Sequence, residues 1–187
     1  MARWFVGILM LAGCDQLFGL DEVTARDAAP GEPMLACPAG YDLQSTISPS
    51  RYRSVQTLTT WDTALLDCNG DGDRTHLLVL SDETERTDVL ALLATRGETS
   101  SIWIGLSDRN IEDEFFWVTA EPVGIPPLRQ TPPWSAGQPD NFSGNQDCVS
   151  IVGAAGQGAG LFDDGTCDSN YHYVCECDAW MPEPGNY

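Results

Sequence analysis

The chain has 187 residues, with 28 acidic against 9 basic side chains and a formal charge of −19. All nine basic residues are arginine; the missing lysine excludes Schiff-base chemistry and a P-loop, and the acidity excludes a nucleic-acid binder, which must displace counterions from phosphates. A hydrophobic content of 42%, with six Trp, five Tyr and six Phe, excludes a disordered acidic chain and allows one domain with a sizeable core. The balance fits a protein that takes cations or neutral ligands. The seven cysteines are an odd number.

The first element in chain order is an address. Arg3 is the only charge before the apolar run Trp4 to Leu11, which is shorter than the ~20 residues that span a bilayer. It reads as the core of a secretory signal. The run closes on Leu11-Ala12-Gly13-Cys14, which resembles the lipobox of bacterial lipoproteins. That resemblance implies that residues 1–13 are a signal peptide and that the Cys14 thiol carries lipid. It places the protein in a bacterial cell envelope, extracytoplasmic and lipid-anchored; two or more acyl chains anchor stably where one does not. Residues 14–36, with Ala28-Ala29-Pro30-Gly31-Glu32-Pro33, read as a tether.

The rest reads as a small α+β domain. Thr60 can cap a helix in which Asp62 suits the first turn and Trp61, Ala64, Leu65 and Cys68 share one face. After it comes the apolar run His76 to Leu80. A second helix is expected from Ser81, turning Val89, Leu90 and Leu93 inward and stopping at Gly97. Ile102, Ile104 and Leu106 alternate with Trp103 and Gly105, a strand pattern. Phe115 to Val118, Cys148 to Val152 and Tyr171 to Cys177 also read as strands. Residues 119–146 form a long Pro- and Gly-rich stretch without period; a loop of that length in a small domain is usually functional.

Several of these elements form a signature. In order they are Trp61, Ala64 and Cys68; His76-Leu77; Trp103-Ile104-Gly105-Leu106; and Trp117. Then follow Trp134, Gln138-Pro139-Asp140-Asn141, Asp147-Cys148-Val149, Cys167 and Tyr173-Val174-Cys175-Glu176. In order and spacing residues 37–177 resemble a C-type lectin domain, leaving 178–187 as a C-terminal tail. The resemblance implies the C-type lectin-like fold: two small antiparallel sheets, two helices and a long loop that holds calcium. It implies the disulfides Cys68–Cys175 and Cys148–Cys167. The remaining pair, Cys37 and Cys177, is expected to bridge because terminal strands are neighbours in this family. Cys14 is then the odd one out, as a lipoprotein requires.

Calcium takes six to eight oxygens from carboxylates and carbonyls. Carried over position by position, the family's ligands fall on Gln138, Asp140, Gln146, Asp163 and Asp164, with Pro139 in a cis peptide. Gln146 stands where glutamate is usual, Asp163 where asparagine is usual, and Phe162 replaces tryptophan. The first two exchange a carboxylate for an amide and an amide for a carboxylate, so three carboxylates remain. In the family two sugar hydroxyls ligate the calcium while the same side chains donate to them and accept from them. Gln138, Asp140, Phe142, Gln146 and Asp163 are therefore the expected carbohydrate contacts. Gln-Pro-Asp resembles the galactose-type order, and Phe142 falls where galactose binders often place a stacking tryptophan. The expected function is calcium-dependent carbohydrate binding. The alternative is a scaffold of the same fold that binds a protein partner and neither sugar nor calcium.

Other patterns carry less. Asp67, Asn69, Asp71 and Gly72 match the start of an EF-hand loop, but its twelfth position is Leu78 rather than glutamate. Asp163 and Asp164, adjacent on a strand, point to opposite faces and do not flank one glycosidic bond. His76 and His172 lie in strands without a nucleophile at motif spacing and read as structural. The residues imply no enzyme.

Overall fold

The computed structural model describes residues 36–119, 121, 133–154 and 158–187. The signal segment, Cys14 and the tether up to residue 35 lie outside the described residues, as does most of 120–132. In chain order the elements are β1 (Leu43–Gln44), β2 (Arg51–Thr59), α1 (Trp61–Gly70), β3 (Thr75–Leu77) and α2 (Glu83–Thr95). They continue with β4 (Ile102–Ser107), β5 (Phe116–Trp117), β6 (Cys148–Ile151), β7 (Phe162–Gly165) and β8 (Tyr171–Cys177). Among the described residues no helix is long and apolar enough to cross a membrane.

The helices follow their caps. The Thr60 hydroxyl accepts the Thr63 N–H, and Trp61, Ala64, Leu65 and Cys68 are the buried residues of α1. Helix α2 starts after Asp82 rather than at Ser81. The Asp82 carboxylate accepts from the Thr84 and Glu85 N–H groups at 2.7 and 2.8 Å and so serves as the cap. Val89 and Leu93 are its buried residues, and Gly97, at φ +68°, follows its end.

Strand β8 is the hub. It pairs antiparallel with β2 from Arg51↔Cys177 to Thr59↔Tyr171 and with β3 from Thr75↔Cys177 to Leu77↔Cys175. Strand β4 pairs antiparallel with β5 and β6, and β6 with β7. These are the two antiparallel groups the resemblance implies. A short parallel contact, Ile102↔His172 and Trp103↔Tyr173, joins them into one mixed sheet. Strand β2 is absent from the sequence-level expectation. Its residues RYRSVQTLT are mostly polar and only Tyr52 is fully buried, so backbone pairing with β8 rather than an apolar face defines it.

Every residue of β4 is buried. The Trp61 indole donates to the Ile104 carbonyl at 2.8 Å and the Trp103 indole to the Thr59 carbonyl at 2.9 Å, which locks α1 and β2 onto this strand. Gly105 is needed there for space: a Cβ would stand 2.6 Å from Val118 Cγ2 and 2.7 Å from the Leu77 carbonyl oxygen. Its N–H donates to Leu78 and its carbonyl accepts from Val118, so two backbone segments close directly on it.

Three disulfides staple the domain: Cys68–Cys175 between α1 and β8, Cys148–Cys167 beside the long loop, and Cys37–Cys177 between the start of the domain and the end of β8. All three are the expected pairs. Residues after β8 also pack down. Asn186 Nδ2 donates to the carbonyls of Trp117 and Thr119, and Asn69 Nδ2 to the Tyr187 hydroxyl.

Candidate functional site

The long loop returns to the sheet at β7. The Phe162 N–H donates to the Pro133 carbonyl and the Phe162 carbonyl accepts the Ser135 N–H, both at 2.7 Å. The Phe162 ring packs edge-on against Trp117 and Trp134, so phenylalanine fills the aromatic position expected of tryptophan. Two residues on lies the carboxylate of Asp164, a residue only 3% exposed. It accepts the Asn141 N–H at 2.8 Å and the Asp140 N–H at 3.1 and 3.2 Å. Its own backbone carbonyl accepts from Gln146 Nε2 at 3.0 Å. The Phe142 N–H reaches both Gln146 Oε1 and Asp140 Oδ1. One buried acid at the end of β7 thus draws Asp140 to Gln146 into a tight loop. The Gln138–Pro139 peptide at its start is cis.

Of the candidate ligands, Asp140, Gln146 and Asp164 are linked by these bonds. Asp163 is half-buried; burial, then the charges of Asp164 and Asp140, push its carboxyl above the usual aspartate range. Gln138 Oε1 is buried with no hydrogen-bond partner. Asp163 under the repelling charges of Asp164 and Asp140, and the orphaned Gln138 amide oxygen, offer the oxygen donors that a hard divalent cation takes, while among the described residues only His76, Glu176 and Asp178 bring three acidic or imidazole groups within 4.8 Å of one another. The residues fit calcium. Phe142 lies in the same loop with 71% of its surface exposed, so its ring is no part of the core.

Asn141 is a site residue the sequence-level ligand set omits. It adopts φ +39°, its Oδ1 accepts the Gln146 N–H at 3.1 Å and its Nδ2 donates to Glu112. Behind Glu112, the Asp108 N–H donates to the Asp147 carbonyl, and the Asp113 N–H to Asp108 Oδ2, at 3.2 and 3.1 Å. Burial, chiefly, raises the Asp108 carboxyl to about 6. The clue was present in the acidic stretch Asp108 to Glu114, but only the fold brings it to the loop. The set-aside patterns resolve structurally. Asp67 and Asp71 both bind Arg53, at 2.7 and 2.6 Å, and His172 Nδ1 lies 3.1 Å from Glu98.

A mixed sheet with two helices, three disulfides and a cis-proline loop folded onto a β7 acid defines the C-type lectin-like class. The family model described as "Lectin C-type domain" matches residues 57–177, and the chain belongs to this family. The hemolymph lipopolysaccharide-binding protein of Periplaneta americana is 28% identical over 172 residues, 88% of this chain and 62% of that protein. Perlucin of Haliotis laevigata is 32% identical over 101 residues, 54% of this chain and 60% of perlucin. The chain therefore spans about three fifths of the length of these relatives. Among solved structures, the C-type lectin CEL-I of Cucumaria echinata superposes with TM-score 0.63 at 24% identity, over 76% of this chain and 97% of that one. A calcium-independent type II antifreeze protein superposes with TM-score 0.60 at 23% identity, over 80% and 99%. These two likenesses establish the fold.

Proposed function

We propose that the chain binds carbohydrate in a calcium-dependent way, on the extracytoplasmic side of a bacterial envelope to which Cys14 anchors it. The buried, unpartnered Gln138 Oε1 two residues before Asp140, together with the charges that Asp164 and Asp140 exert on Asp163, is the observation that carries the reading. Gln138, Asp140, Gln146, Asp163 and Asp164 would hold the ion. Bound calcium would offer open coordination positions to vicinal sugar hydroxyls. The chain's own part is to orient the loop through Asp164, to present amide donors and carboxylate acceptors to those hydroxyls, and to offer the Phe142 ring to the sugar's apolar face. Gln138-Pro139-Asp140 with Phe142 favours a galactose-type ligand.

Family membership agrees with a binding domain rather than an enzyme. A protein-binding scaffold that takes neither sugar nor calcium is the second reading; the fold also occurs in a calcium-independent antifreeze protein. Chromatography of the purified chain on immobilised galactose and mannose separates the two. Retention on galactose, release by chelator and a roughly 2- to 10-fold weaker affinity for Phe142→Ala are expected. Retention on neither sugar with calcium present favours the scaffold.

A further inference from the structure

On the other antiparallel group, β3 and β8 bury three ionisable residues that the loop site does not use. His76 lies directly across the ladder from Glu176, and Asp178 follows two residues later. His76 and Glu176 are 0% exposed and Asp178 is 7% exposed. One ligand atom from each lies within 4.8 Å of the others. The hydrogen-bond pattern around them is incomplete. His76 Nδ1 is 3.0 Å from the Leu77 carbonyl, which only accepts, so Nδ1 carries the hydrogen. In neutral imidazole Nε2 then presents a lone pair, yet it faces a second acceptor, Asp178 Oδ1, at 3.0 Å. Glu176 Oε2 takes the Val79 N–H at 3.1 Å, while Glu176 Oε1 is buried with no partner. A proton on Nε2 would serve Asp178 and still leave Glu176 Oε1 without a partner.

We propose that His76 Nε2, Glu176 and Asp178 form a buried divalent-metal site of the zinc class, built from none of the loop residues. The nitrogen ligand selects the ion: calcium and magnesium take oxygens, whereas imidazole suits zinc and its neighbours. The surroundings are those of a metal-bound histidine, whose second ring N–H is characteristically held by a backbone carbonyl that fixes the tautomer. Two ligands of a tetrahedral zinc at ~2.0 Å stand about 3.3 Å apart, so His76 and Asp178 need to separate by only a few tenths of an ångström.

The test uses the full chain, stripped with chelator and then given zinc chloride alone. Expected are zinc retained through gel filtration and a Tm rise of about 5 °C or more at saturation. Zinc should produce that rise over and above any that saturating calcium gives, Asp163→Asn should keep the zinc rise, and His76→Gln and Asp178→Asn should lose it. No zinc retained, or a rise that persists in both folded His76→Gln and Asp178→Asn, would overturn the site. If neither variant folds, cobalt(II) added to the wild-type chain decides. Intense visible bands of a tetrahedral N/O site support the proposal, and the pale spectrum of the hydrated ion overturns it.

Discussion

Asp164 shows how one buried side chain can build a loop. Its carboxylate is buried, and the N–H groups of Asp140 and Asn141 hold it there. The exchange at Gln146 and Asp163 matters at this scale too. The amide of Gln146 both donates, to the Asp164 carbonyl, and accepts, from the Phe142 N–H, which a carboxylate at that position does only in part. Asp88 offers a separate residue-level test. Burial works against its charge, but bonds from Thr46 and Ser45 more than offset it and hold the carboxyl below the usual aspartate range. A depressed folded-state pKa means stability that is present above the unfolded value and lost as pH falls through the folded one. An NMR titration of Asp88 should give a midpoint below the usual aspartate value, and a normal or raised midpoint would contradict the assignment. Asp140, Gln146 and Asp164, which the structure joins by hydrogen bonds, were legible because motif order marks them. Asn141 and Glu112 were not, since they meet across 29 residues of sequence and no local pattern joins them.

Among the elements, those with an apolar face and a capping residue were legible and those defined by pairing were not. Helix α1 buries the four residues its periodicity selects. The nine-residue β2 gave no alternation to read, because its partner β8 supplies the reason for its shape. Strand β3 is shorter than the apolar run around it: its ladder ends at Leu77, the Leu78 N–H still donates to the Val174 carbonyl at 2.9 Å, and Leu78 to Leu80 are buried. Gly105 in β4 is the position where element packing tolerates least. Gly105→Ala would drive a methyl into Val118 and the Leu77 backbone, at a cost of about 1–3 kcal/mol. Urea unfolding should show a lower midpoint with an unchanged slope. A midpoint equal to wild type would mean that the two closing segments can separate freely.

At the scale of the molecule, the mixed sheet places two distinct groups of ionisable residues on its two antiparallel halves. The loop group is an all-oxygen set at the end of β7, and the β3–β8 group includes a buried imidazole. The net charge of −19 says little about either, since only a few of the 28 acids are involved and the rest are spread along the chain. What the sequence could not supply is the orphaned oxygens, Gln138 Oε1 and Glu176 Oε1, which exist only once the chain has folded around them. The most direct test of the calcium-site reading is the melting temperature of the chelator-stripped chain with and without millimolar calcium. A ligand that binds only the native state raises it, by about 5 °C or more at roughly hundred-fold excess over its Kd. The account predicts that rise in the wild-type chain and its loss in Asp164→Asn and Asp163→Asn. An unchanged melting temperature at millimolar calcium would contradict it.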